Sequence, residues 1–136
     1  MFLKKPRSEV HQWFGSKPAG ELLGTNGLNR FDTIWTLEAP WVEEPNYRRR
    51  GWSGMSRIEL KGTSSPPVGV YLKRQENHGY RSIGNPFRYR PTAYREYRHL
   101  VQMKAHGIAV PEVLYYGERK VGKTWQAILM TREIPQ

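Results

Sequence analysis

Apolar and polar positions alternate most clearly in the second half of the chain. In "VGVYLKR", Val70, Tyr71 and Leu72 are β-branched, aromatic or apolar, which predicts a strand, and Lys73 stands at its end. Upstream, "YRRRGWSGMSRIELKG" predicts two short strands around a glycine-containing turn, with Ile58 and Leu60 alternating in the second. Downstream, "AYREYRHLVQMKAHG" changes to the helical period. Thr92 is a candidate N-cap, and Gly107 with Pro111 supplies the stop. Ala93, Tyr97, Leu100 and Met103 fall on one arc of this helix, while Arg95, Arg98 and Gln102 point away from it. Glu96 lies inside the apolar arc. "EVLYYGERKVGKTWQAILMTRE" predicts two further strands joined by a charged turn.

The remaining segments carry weaker patterns. Residues 1–30 are rich in Gly, Lys, Asn and Ser with little periodicity and read as a loosely structured lead-in. In "FDTIWTLEAPWV", Phe31, Ile34, Trp35, Leu37 and Trp41 are expected to pack on a neighbouring core, with Pro40 and Pro45 as punctuation. The Arg- and Asn-rich stretch 75–91, holding Gly79, Gly84, Pro86 and Pro91, is expected to be a loop or irregular insertion. One domain, residues 31–136, follows the lead-in, and no internal repeat is present.

Composition narrows the function classes. A net charge of +10 over 136 residues points to an anionic partner: nucleic acid, nucleotide, phosphorylated glycan or an acidic membrane surface. The absence of cysteine excludes disulfides, thiolate zinc sites and cysteine nucleophiles. No apolar stretch reaches membrane-spanning length and no signal-type h-region follows the basic start, so a cytoplasmic location is expected. His11, His78, His99 and His106 have no metal-ligand spacing, and Ser53 and Ser56 lack a His–Asp arrangement for hydrolase chemistry.

Two constellations carry candidate chemistry. "GERKVGKT", Gly117 to Thr124, matches the letters of a phosphate-binding P-loop, but the mechanism needs a helix after the loop, and "WQAILMT" is β-capable. This stretch therefore reads as a lysine-rich hairpin turn. The second constellation is Lys73 with Glu96. A carboxylate and an ammonium drawn toward a core are each costly alone, and a helix packed on that strand would join them. Such a pair holds a lysine over nucleotide phosphates in kinases.

"RRRGWSGMSRIEL", "VYLKRQENHGYRS", "REYRHLVQMKAHGIAVPEVLYYGERK" and "AILMTREI" together resemble the N-terminal lobe of the bacterial lipopolysaccharide (Kdo/heptose) kinase family, a protein-kinase-like group. The resemblance covers about residues 31–134 and is greatest to its acid-inducible kinase-like branch. It implies, with the elements above, an α+β fold: a curved antiparallel sheet of about five strands with one packed helix, as in a kinase N-lobe. It implies ATP and Mg as cofactors, with Lys73 on the α/β-phosphates and Glu96 as its partner. Gly51, Ser53, Gly54 and Ser56 would lie over the nucleotide, and Thr131 to Glu133 would form the interlobe hinge. Serines stand at the second and third glycine positions of the glycine-rich loop, and Tyr71 stands where kinases have a small residue facing adenine. The acceptor implied is a sugar of the lipopolysaccharide core or another anionic glycan, at the inner membrane of a Gram-negative bacterium. Arg74, Arg81, Arg88 and Arg90 are the candidate anionic-substrate surface. No residue of the chain is assigned as catalytic base or metal ligand, so the chain is expected to be inactive without a C-terminal lobe. The competing reading is a non-catalytic basic module that binds nucleic acid or anionic membrane and glycan surfaces, because arginines are interleaved with Tyr80, Phe87, Tyr89 and Tyr94.

Overall fold

The computed structural model describes residues 8–48, 51–62, 66–82 and 85–134, with side chains omitted for Ser8, Arg48 and 80–89. In chain order the elements are β1 (Ser8–Phe14), α1 (Lys17–Thr25), α2 (Phe31–Trp35), β2 (Trp41–Arg48), β3 (Gly51–Leu60) and β4 (Val68–Glu76). These are followed by β5 (Gly79–Ser82), β6 (Asn85–Pro91), α3 (Thr92–Ala105), β7 (Val113–Val121) and β8 (Thr124–Arg132). Six strands form one antiparallel sheet in the order β1-β7-β8-β4-β3-β2, and β5 pairs with β6 in a separate hairpin. The α+β class, the antiparallel sheet and the packed helix α3 agree with the sequence, and the arrangement is compatible with a kinase-like N-lobe.

The sheet is covered on both faces. On one face Val70 and Leu72 of β4 and Ile128 and Met130 of β8 pack under Ala19, Leu23, Phe31 and Ile34 from α1 and α2. On the other, Ala127 and Leu129 of β8 and Tyr116 of β7 meet Ala93, Tyr94, Tyr97 and Leu100 of α3. The run Ala127–Met130 is buried throughout because β8 is central and sandwiched, and this explains why its sequence does not alternate. The β7–β8 hairpin closes through Gly122, whose φ of +59° suits a residue without a Cβ. "GERKVGKT" is therefore strand, turn and strand, as its apolar sequel required.

Three expectations are corrected. Residues 8–28 are not a loose lead-in: β1 pairs with β7 from Ser8↔Val121 to Phe14↔Tyr115, and α1 buries Ala19 and Leu23. Ser16 caps α1, accepting a hydrogen bond from the Ala19 amide at 3.1 Å. The polar composition of β1 reflects its position at the sheet edge. Secondly, the two strands expected in 47–62 are longer than read: β2 begins at Trp41, and β3 runs unbroken from Gly51 to Leu60, so Gly54 lies within a strand. Its missing Cβ makes room for Trp41, whose ring would lie 2.8 Å from one. Thirdly, the stretch 75–91 is not irregular, since β4 extends to Glu76 and β5–β6 follow as a hairpin. At the opposite edge, β2 pairs with β3 through two register shifts around Glu43 and Pro45. Among the described residues no helix is long and apolar enough to cross a membrane.

Candidate nucleotide-facing site

Alternation along β4 places Val70, Leu72 and Arg74 toward α1 and α2, and Tyr71, Lys73 and Gln75 toward α3. Counting from β2, β4 is the third strand, where protein kinases carry their phosphate-binding lysine. Lys73 Nζ donates to Glu96 Oε2 at 2.8 Å. The pair is not sealed: the side chains keep 27% and 45% of their accessible surface. An ammonium that is anchored on one side and open on the other can meet an anionic ligand without losing its partner.

The same face continues along the sheet. Tyr71 opposes Thr131, and Lys73 opposes Leu129. At that end Tyr71, Pro111, Thr131, Arg132, Glu133 and Ile134 line a cavity of about 220 Å³. Thr131 and Glu133 are thus gathered with Tyr71 two residues from Lys73. The Glu133 carboxylate is also the acceptor of the Arg57 guanidinium, which raises the Arg57 pKa above its ordinary value by hydrogen bonding and charge. The Glu133 amide donates to the Gly69 carbonyl at 2.9 Å, so the expected hinge segment leaves the sheet while still bonded to β4.

The glycine-rich segment is placed differently from its expected role. β3 is an interior strand, in register with β4 at every residue from Trp52 to Leu60 and with β2 at Gly51, Trp52, Ser53, Met55 and Ser56. Its backbone amides therefore serve the ladders, not an open cradle. Gly51 packs against the Asn77 carbonyl, Gly54 under Trp41, and Ser56 is fully buried on the α2 face. Of this segment Ser53 shares the Lys73 face, and its hydroxyl accepts from Gln75 Nε2 at 3.1 Å. The β2–β3 connection at residues 49–50 lies outside the described residues.

The arginine surface is corrected as well. Arg74 is 5% exposed; it donates to the Trp35 and Leu37 carbonyls at 3.1 and 2.7 Å and lies over Trp41. Burial pushes its pKa down. Arg90 bonds Glu118 at 3.0 Å and stacks on Tyr94, 3.6 Å from the ring centroid. Both are internal braces, because a guanidinium can satisfy carbonyls and cover an aromatic ring simultaneously. The side chains of Arg81 and Arg88 lie outside the described residues.

Sequence reasoning missed Gln75 and the Tyr116–Glu118 pair that engages Arg90. Tyr116 donates to Glu118 at 2.6 Å, and burial followed by the Glu118 charge pushes the Tyr116 pKa up. The available signal for Gln75 was its spacing: two residues beyond Lys73, it had to share that face.

For ATP, Lys73 offers a partly open ammonium on the face where Tyr71, two residues away along β4, lines a cavity with Thr131 and Glu133. For Mg, no group of three or more His, Asp or Glu side chains is arranged to hold a metal among the described residues.

Comparison with known proteins gives a consistent result. A family model for the lipopolysaccharide kinase (Kdo/WaaP) family matches residues 32–136. The protein InaA of Escherichia coli (strain K12) is 35% identical over 106 residues, covering 78% of this chain and 46% of InaA. This chain thus spans about half the length of that relative. No solved structure matches. With the antiparallel sheet, the strand lysine and the helix glutamate in place, the family match leads to one assignment: the chain belongs to the lipopolysaccharide kinase (Kdo/WaaP) family.

Proposed function

We propose that the chain, with β1 and α1 as integral parts, forms the nucleotide-binding lobe of an ATP-dependent kinase whose acceptor is a sugar hydroxyl of the lipopolysaccharide core. The observation that carries this reading is the 2.8 Å bond between Lys73 on β4 and Glu96 on α3. In this role Lys73 contacts the nucleotide phosphates, Glu96 fixes the direction of the ammonium, and the Tyr71–Thr131–Glu133 end receives the base. ATP supplies the phosphoryl group. A second lobe supplies the general base and the magnesium ligands, and the lipid-anchored acceptor brings the protein to the inner membrane surface. The basic-module reading is weakened by two of its arginines, since Arg74 and Arg90 are committed to internal partners.

The test is NMR shift perturbation by Mg-ATP at fixed salt in the wild type and in Lys73→Ala. The expected result is a set of shifts at Tyr71, Lys73 and Thr131–Glu133 that disappears in the variant. Shifts that persist unchanged in Lys73→Ala, or that cluster at Gly117–Thr124, would remove the nucleotide role of Lys73.

A further inference from the structure

The N-terminus of α3 has no cap of its own. Its N-cap position is Pro91, which has no side-chain acceptor and makes no capping bond. The first two helical amides are instead held by the chain of β4 and its exit. The Thr92 amide donates to the His78 carbonyl at 3.0 Å, and the Ala93 amide donates to Gln75 Oε1 at 2.9 Å. Gln75 is 2% exposed, and its other amide atom donates to Ser53 on β3. One buried side chain therefore joins β3, β4 and α3.

The spacing of these bonds matters. Gln75 lies two residues beyond Lys73 on the same strand face, and Ala93 lies three residues before Glu96, one turn earlier on the helix. The bonds Gln75–Ala93 and Lys73–Glu96 are consecutive rungs between the same strand and the same helix. The inner rung is buried and the outer one is open to solvent. A solvent-exposed ion pair holds its own geometry weakly, whereas a buried amide bond to a helix terminus is costly to break because the freed N–H has no other acceptor. Ala93, fully buried, allows the helix to approach this closely.

We propose that Gln75 is a positioning residue that caps α3 from the sheet and thereby presets Glu96 against Lys73. This role rests on the reading of Lys73 as the phosphate-contacting lysine, but the inner rung can be tested without nucleotide. Gln75→Met keeps the length and removes the acceptor; Gln75→Glu keeps an acceptor for the Ala93 amide, and the Ser53 hydroxyl can turn to donate to it. In Gln75→Met, Ala93 amide exchange should accelerate roughly tenfold, and side-chain NOEs between Lys73 and Glu96 should vanish while the β8 core amides stay protected. In Gln75→Glu both signals should be retained. NOEs unchanged in Gln75→Met would overturn the proposal. If Gln75→Met does not fold, exchange in the wild type decides: Ala93 protected as strongly as β4 supports the cap, and Ala93 exchanging like an open first-turn amide refutes it. Mg-ATP titration of the same variants separates the two readings. Loss of the NOEs with unchanged ATP shifts keeps the cap and removes the lysine's role; retained NOEs without ATP binding in the wild type do likewise for the function alone.

Discussion

The two faces of the sheet are built by the same strands yet do opposite things. Under α1 and α2 the residues are Val70, Leu72, Ile128 and Met130 against Leu23, Phe31 and Ile34, a dry interior with Arg74 set into its rim. Under α3 the strands present Lys73, Gln75, Tyr116 and Glu118, polar groups held by specific partners. The first face stabilises the fold by area and the second arranges charge. Adjacent residues of one strand can therefore be altered with unlike consequences.

The largest effect belongs to the dry face. Leu72→Ala, at a fully buried position, should lower unfolding free energy by about 3 to 5 kcal/mol, measured by urea denaturation. Arg74→Ala should follow at about 2 to 3 kcal/mol, because it leaves the Trp35 and Leu37 carbonyls without their donor. A loss under 1 kcal/mol would show that water replaces the guanidinium and that the rim is wet. On the α3 face, Tyr116→Phe should cost about 1 to 2 kcal/mol at neutral pH by removing a donor to Glu118. It should also change the alkaline limb. Burial raises the folded-state pKa of Tyr116 above its ordinary value of 10.0, so its contribution is complete below about pH 10 and is lost as the pH rises toward the folded value. The wild type should therefore lose stability at about 1.4 kcal/mol per pH unit for each such tyrosine above pH 10. Tyr116→Phe should show a shallower slope, with the part due to Tyr115 remaining. Lys73→Ala should have the smallest effect on folding, under about 1 kcal/mol, since its ion pair is half exposed. A Lys73 loss comparable to that of Leu72 would abolish the distinction between the faces.

The sequence made one face legible and hid much of the other. Period-two alternation in "GVYLKR" separates Lys73 from Val70 and Leu72, and a glutamate within the apolar arc of α3 calls for a cation opposite, so the pair is legible in the sequence. The β7–β8 hairpin was legible for a similar reason, since Gly117–Thr124 lies between two apolar runs. The β1 strand was not, because an edge strand needs few apolar residues and "SEVHQWF" satisfies the ladder through its backbone. Ser16 followed by Lys17-Pro18 was a readable helix start that the glycine-rich surroundings obscured. Arg74 shares the period-two face of Val70 and Leu72, but that it is buried there as a charged residue depends on the packing of Trp35, Leu37 and Trp41 above the strand end. The serines and glycines of "GWSGMS" spell part of a phosphate loop, but strand pairing on both sides and the close approach of Trp41 give them structural employment instead.

The irregular edge formed by β2 has a consequence for association. An open sheet exposes unpaired amides and carbonyls at each border, and a straight border invites a strand from another molecule. Here Pro45 breaks the regular run of amide donors within the strand, the two register shifts interrupt its ladder, and the adjacent carboxylates of Glu43 and Glu44 repel a like neighbour. Lateral growth by strand addition is thereby discouraged on the side of the sheet nearest β3, and β1 is left as the straighter border at which a further strand would find a continuous template.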